Sequence, residues 1–187
     1  MNKIFLRLAL GAALLLPASA ARADEVAMRV PPGSYARRLG ATVLADPLGT
    51  PHTRRDAAGK VLVAIFSAPT MSQGGYQEKW SSLLADQPAT RLPGEVMLVL
   101  FEDMSQAGMF QGMARDDMKK QFVKGSRPLL ILDESGATFK KIGIPRNRTQ
   151  ILIYDKTGTL RDVEQDLGDV DATVRRIRAI TRQLQAE

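Results

Sequence analysis

The sequence contains no cysteine. Thiol–disulfide exchange begins with a thiolate attacking sulfur, so that reaction is closed to this chain. No disulfide can brace it, and its stability must come from packing. Histidine is nearly as scarce, with His52 alone among 187 residues. Zinc sites draw mostly on histidine and cysteine, so a zinc centre loses its usual ligands. There is no Gly-rich phosphate loop, no Ser-x-x-Lys and no nucleophile elbow, which removes the familiar nucleotide-binding and hydrolase readings. Beyond the N terminus no apolar run is long enough to span a bilayer.

What is present begins with MNKIFLRLALGAALLLPASAARA. Lys3 and Arg7 precede an apolar run from Leu8 to Leu16, then Pro17 and small residues. Two Ala-x-Ala cleavage sites are available, ending at Ala20 and Ala23. This pattern predicts a secretory signal over 1–23, and hence a periplasmic protein with no membrane contact after cleavage. The apolar run is too short for a retained anchor. The full chain carries +6. The signal holds three of the basic residues and no acid, so its removal leaves +3. That is too mild a balance to argue for nucleic acid. Arg175, Arg176, Arg178 and Arg182 read as one solvated basic helix side.

Residues 24–40 are rich in Pro, Gly and charge and read as an extended arm. Residues 41–187 read as one domain, without repeat or linker. Asp46-Pro47-Leu48-Gly49 is a good turn sequence, so the flanking residues predict a hairpin. VLVAIF (61–66) is nearly continuous apolar and suits a strand buried on both faces. Ser67–Gly75 is expected as a loop, with helix over Tyr76–Ala85. Strands are expected at 95–101 and 127–133. Between them, 108–122 predicts a helix with Met109 or Phe110, Met113 or Ala114, Met118 and Phe122 at helical spacing. A short helix or turn follows at ATFKKIGI, then a hairpin of 149–155 with 159–165 about Lys156-Thr157-Gly158. The last helix opens near Gly168-Asp169, its apolar positions Val170, Val174, Ile177, Ile180 and Leu184 following the helix period. Asp169 and Asp171 stand where a helix start favours acids. Alternating strands and helices imply an α/β domain, with a central mixed β-sheet flanked by helices on both faces.

The hairpin ending in Ala58-Gly59-Lys60, the strand VLVAIFSAPT running into a helix, and ILIYDKTGTL before a C-terminal helix resemble the thioredoxin-like fold. The version they resemble is the peroxiredoxin or TlpA-like redoxin one, over nearly all of 41–185. AGMFQGMARDDMKKQF, PLLILDESG and ILIYDKTG are similar to the cysteine-poor YtfJ-type periplasmic proteins. The resemblance implies that Met71 and Gly74 take the two cysteine positions. It also implies that Thr149 stands where the family has a cis-proline. A non-proline cis bond costs about 3 kcal/mol, so a trans bond is expected before Thr149. Ile144–Pro145 is cis only if that loop is remodelled.

The loop still faces a helix N-terminus, where free N–H groups can bind an anion or a carbonyl oxygen. Thr70 and Ser72 suit either that role or simple helix capping. The expected partner-binding set is Thr70, Met71, Ser72 and Gln73 with Met109, Phe110 and Arg148, on a surface running from Arg146 to Arg148. The partner is an unidentified periplasmic protein or small ligand. No catalytic residue, metal or cofactor is assigned. Thioethers suit Cu(I), so copper binding through Met104, Met109, Met113 and Met118 is an alternative, beside an enzyme of unrecognised type. Glu102-Asp103 stands at a strand C-terminus, where α/β active sites gather. Asp162, Glu164 and Asp166 are expected to form a solvated acidic edge.

Overall fold

The computed structural model describes residues 26–28, 43–164 and 168–187. The predicted signal, nearly all of the predicted arm, and Asp166 lie outside these residues. Val26 and Met28 pack against the core.

Seven strands form one mixed sheet in the order β2-β1-β5-β4-β3-β6-β7. Strands β1 (Leu44–Ala45) and β2 (Pro51–His52) are the predicted hairpin about Asp46–Gly49. The Asp46 carboxylate accepts from the amides of Leu48 and Thr50 and fixes that turn. Strand β3 (Leu62–Ser67) is buried along its whole length. It lies between β4 (Met97–Asp103), parallel to it, and β6 (Gln150–Tyr154), antiparallel. Strand β5 (Leu129–Asp133) extends the parallel set, and β7 (Leu160–Glu164) closes the far edge.

The period of two along each strand divides the core. Val63, Ile65, Leu98, Leu100, Ile151 and Ile153 point to one face. There they meet Trp80 and Leu84 of helix α1 (Met71–Ala85), and Val174, Ile177, Ile180 and Leu184 of α4 (Val170–Ala186). Leu62, Ala64, Phe66, Val99, Phe101 and Leu152 point the other way, toward Phe139 and Ile142 of α3 (Ala137–Ile142). Phe66 stacks on Phe101 at 4.7 Å and meets the Phe139 ring edge-on at 5.2 Å. Each such aliphatic or aromatic side chain contributes about 1.5–3 kcal/mol on burial. That is how a chain without disulfides builds its stability.

Several expectations need correction. Helix α1 begins at Met71, five residues before the predicted start, and takes Gly74 and Gly75 into its first turns. Packing of its inner face outweighs their poor propensity. The helix predicted over 108–122 is shorter. Residues Met104–Phe110 form a 3-10 segment, Gly108 breaks it at φ 56°, and α2 (Gln111–Gln121) has no buried residue. The expected solvated acids Asp162 and Glu164 are buried. Arg176, expected as part of a solvated basic side, turns inward instead. Its Nη2 lies 2.6 Å from Asp162 and its Nε 2.5 Å from Glu164, clamping α4 onto β7. The cis peptide among the described residues joins Arg127 to Pro128; Ile144–Pro145 and the bond before Thr149 are trans.

Candidate functional site

Parallel pairing brings the C-terminal ends of β3, β4 and β5 to one edge of the sheet, and the segments that leave them are neighbours there. Ser67 pairs in register with Glu102, and Phe66 with Gln150. Thr149 therefore stands beside Ser67, and their hydroxyls are 3.2 Å apart in the interior. The row Thr149, Ser67, Glu102 is polar and buried beneath α1.

Glu102 is fully buried, and neither carboxyl oxygen has a hydrogen-bond partner by geometry among the described residues. Burial pushes its pKa up to about 8. Nearby Gln77 opposes the rise, and the charge of Asp103 adds to it. The group therefore holds its proton at neutral pH. A buried neutral acid costs far less than a buried unpaired anion.

Asp103, next along β4, is equally buried and well satisfied. It accepts from the Ser105 amide at 3.1 Å, the Ser105 hydroxyl at 2.5 Å and the Gln106 side chain at 2.8 Å. Gly136, at φ 68°, packs against the same group. A Cβ there would stand 2.6 Å from the Ser105 hydroxyl and 2.7 Å from Asp103. The turn after β5 can approach only because that side chain is missing.

Arg146 ties the edge together. Its Nε lies 3.7 Å from Asp103, and its guanidinium donates to the Ser105 hydroxyl at 2.8 Å. Its carbonyl accepts from Gln73 of α1 at 3.0 Å. Segments 71–73, 103–106 and 146 thus form one hydrogen-bonded unit.

The predicted residues divide within this frame. Gln73 is buried and structural. Thr70 is half-buried at the α1 N-cap position, but its side chain makes no cap bond. Its hydroxyl lies 3.2 Å from that of exposed Ser72. Met71 opens the helix, and its side chain lies outside the described part of the structure. Gly74, three residues on, would accept a Cβ with nothing within 4 Å. Met109 is 91% exposed and Phe110 60%, and Met113 joins them at 64%. Arg148 is exposed and takes no part in the Arg146 network. Met104 is buried in the core, so it does not share the surface of Met109 and Met113. His52 stands apart, between Asp46 and Asp56.

Sequence reasoning assigned no role to the buried state of Glu102. A signal existed: Leu98, Leu100 and Glu102 alternate, so a strand two residues longer points all three at α1. Gln73 gave none, since a glutamine near a helix start is ordinarily solvated.

No protein-family model matches the chain, and no curated protein matches it. Solved structures do. A putative thioredoxin from Neisseria meningitidis superposes with a TM-score of 0.58 at 16% identity, covering 81% of this chain and 95% of that one. The exposed lipoprotein thioredoxin of Streptococcus pneumoniae gives 0.55 at 16% identity, over 79% and 100%. The fold is thioredoxin-like. A putative thiol:disulfide interchange protein DsbE from Chlorobium tepidum gives 0.56 at 16% identity, over 79% and 97%. At these identities the thioredoxin-like likeness concerns the backbone. This chain keeps the scaffold with no cysteine on it.

Proposed function

We propose that this chain is an exported binding or accessory module that uses the thioredoxin-like scaffold without thiol chemistry, in the manner of the cysteine-poor YtfJ-type proteins. One observation carries the reading. Three large apolar side chains, Met109, Phe110 and Met113, stand exposed beside a hydrogen-bonded edge. Solvated apolar side chains grouped on a firm base are the usual mark of a contact surface. Methionine adapts to a partner's shape, and phenylalanine supplies a rigid anchor. Thr70, Ser72 and Arg148 supply the polar rim of the proposed surface, and Met71 belongs to the same proposed set.

An enzymatic reading rests on Glu102, an acid protonated at neutral pH. It has no exposed surface through which to meet a substrate, so binding is the better account.

The test places a photoreactive residue at Phe110 in the full-length chain expressed in a Gram-negative host. Capture of one discrete periplasmic partner, lost when Met109 and Met113 are changed to Ser, is the expected result. Equal capture by a probe at exposed Lys119 would sink the proposal. Amino-terminal sequencing of the periplasmic product, starting after Ala20 or Ala23, checks export.

A further inference from the structure

The opposite edge of the sheet, at the N-terminal ends of β4 and β5, holds a second feature, independent of the proposed surface. An open cleft of about 600 Å³ is lined by Arg91, Arg127, Arg178 and Arg182, with Pro88 and Leu92 among its apolar walls. It combines residues from the α1–β4 connection, the approach to β5 and the outer side of α4. No carboxylate lines it.

Two of the guanidiniums are held by main-chain carbonyls. Arg127 donates to the carbonyls of Leu92 at 2.8 Å, Pro93 at 2.8 Å and Val96 at 3.1 Å. Arg178 donates to the carbonyl of Ala89. Carbonyls orient a guanidinium and leave its charge in place. The guanidiniums of Arg115, Arg146, Arg161 and Arg176, by contrast, meet carboxylates. None of the four cleft arginines forms an ion pair within 4 Å among the described residues. Burial and then the charge of Arg91 lower the pKa of Arg127, with Glu95 opposing. Cations are therefore crowded here without a matching acid in contact.

We propose that this cleft binds a phosphate-type oxyanion carrying at least two negative charges. The uncommitted guanidinium forks of Arg91 and Arg182 match tetrahedral oxyanions bidentately, with the charge of Arg127 and Arg178 beside them. Holding Arg127 and Arg178 in advance reduces the side-chain entropy lost on binding. The volume suits a small organic phosphate. The apolar walls accept the carbon part of such a ligand.

Pyrophosphate is the probe, titrated into the full chain by calorimetry at low ionic strength. Saturable binding is expected, weakening steeply as salt is raised. The variants are Arg91→Ser and Arg182→Ser, since neither side chain makes a hydrogen bond among the described residues and the fold should survive their loss. Each should weaken pyrophosphate binding about tenfold, and the pair about a hundredfold. Lys119→Ser with Lys120→Ser, on α2, should leave it unchanged. A parallel arm uses vesicles of phosphatidic acid, a phosphomonoester lipid that can carry a second negative charge. Sedimentation that needs Arg91 and Arg182 identifies a lipid headgroup as the source of the phosphate, and pyrophosphate binding alone identifies a free one. If neither probe binds, or if the α2 lysine pair matters as much as the arginines, the proposal is wrong.

Discussion

The side-chain amide of Gln73 donates to the main-chain carbonyl of Arg146 at 3.0 Å, joining the first turn of α1 to the connection before β6. The same arginine reaches forward to Ser105. One residue therefore holds both sides of the edge on which Met109 and Phe110 are displayed.

Replacing Gln73 by Ala should cost about 1–2 kcal/mol of stability, because a half-buried carbonyl loses its donor. Urea denaturation measures it. Capture at Phe110 should fall as well, since the 146 segment is no longer tied to the helix. Loss of stability with undiminished capture would separate Gln73 from the surface.

Glu102 gives a pH dependence whose sign is fixed. Its pKa rises from 4.5 to about 8 on folding, so between those values the native state holds a proton that the unfolded chain releases. The penalty is absent below pH 4.5, grows as pH rises, and is complete above about 8. Wild type should therefore lose stability across that window, by on the order of a few kcal/mol. Glu102→Gln keeps the shape without the proton. Its stability should be flatter with pH and should exceed wild type at pH 9. Denaturation curves at pH 5, 7 and 9 decide it, and parallel profiles for the two proteins would refute the assignment.

Gly136→Ala tests the close approach to Asp103. The left-handed φ and the contacts under 3 Å act together, so a loss of about 2–4 kcal/mol is expected. Gly158→Ala is the control. Its φ is 76° with nothing within 4 Å, so it bears the backbone strain alone, about 1 kcal/mol. Equal losses at the two sites would mean that the contact with Ser105 and Asp103 is not tight.

Met71→Cys combined with Gly74→Cys restores a Cys-x-x-Cys spacing at the start of a helix, where free N–H groups favour a thiolate. The open space at Gly74 accommodates the new side chain. In oxidised glutathione the double variant should close an intramolecular disulfide, seen by mass spectrometry as a chain carrying no glutathione, whereas each single variant can only form a mixed disulfide that retains it. Persistently reduced thiols would mean that the first turn of α1 is not placed as the fold implies.

Most of the architecture could be read from the residues. The apolar runs of β3, β4 and β6 are self-evident, and the Asp46–Gly49 and Lys156–Gly158 turns announce their hairpins. The spacing of Val174, Ile177, Ile180 and Leu184 marks α4 unaided. The misses share a cause. Each concerns a polar or flexible residue whose environment is set by distant chain. Arg176 reads as solvated until β7 places Asp162 and Glu164 beneath it. Glu102 reads only as an acid at a strand end until α1 covers it. The helical spacing of Met109 and Met113 predicted one helix from 108, but Gly108 turns the chain and α2 starts only at Gln111. The Arg91–Arg182 cleft joins segments some ninety residues apart, which no local pattern reveals.

A protein with no thiol still exposes sulfur. Peroxide reaching Met109 and Met113 would convert their thioethers to sulfoxides, and an oily patch would become a polar one. The stickiness of that edge then depends on how the sample was stored. Reduced and peroxide-treated preparations of this chain are, for anything that docks there, two different proteins.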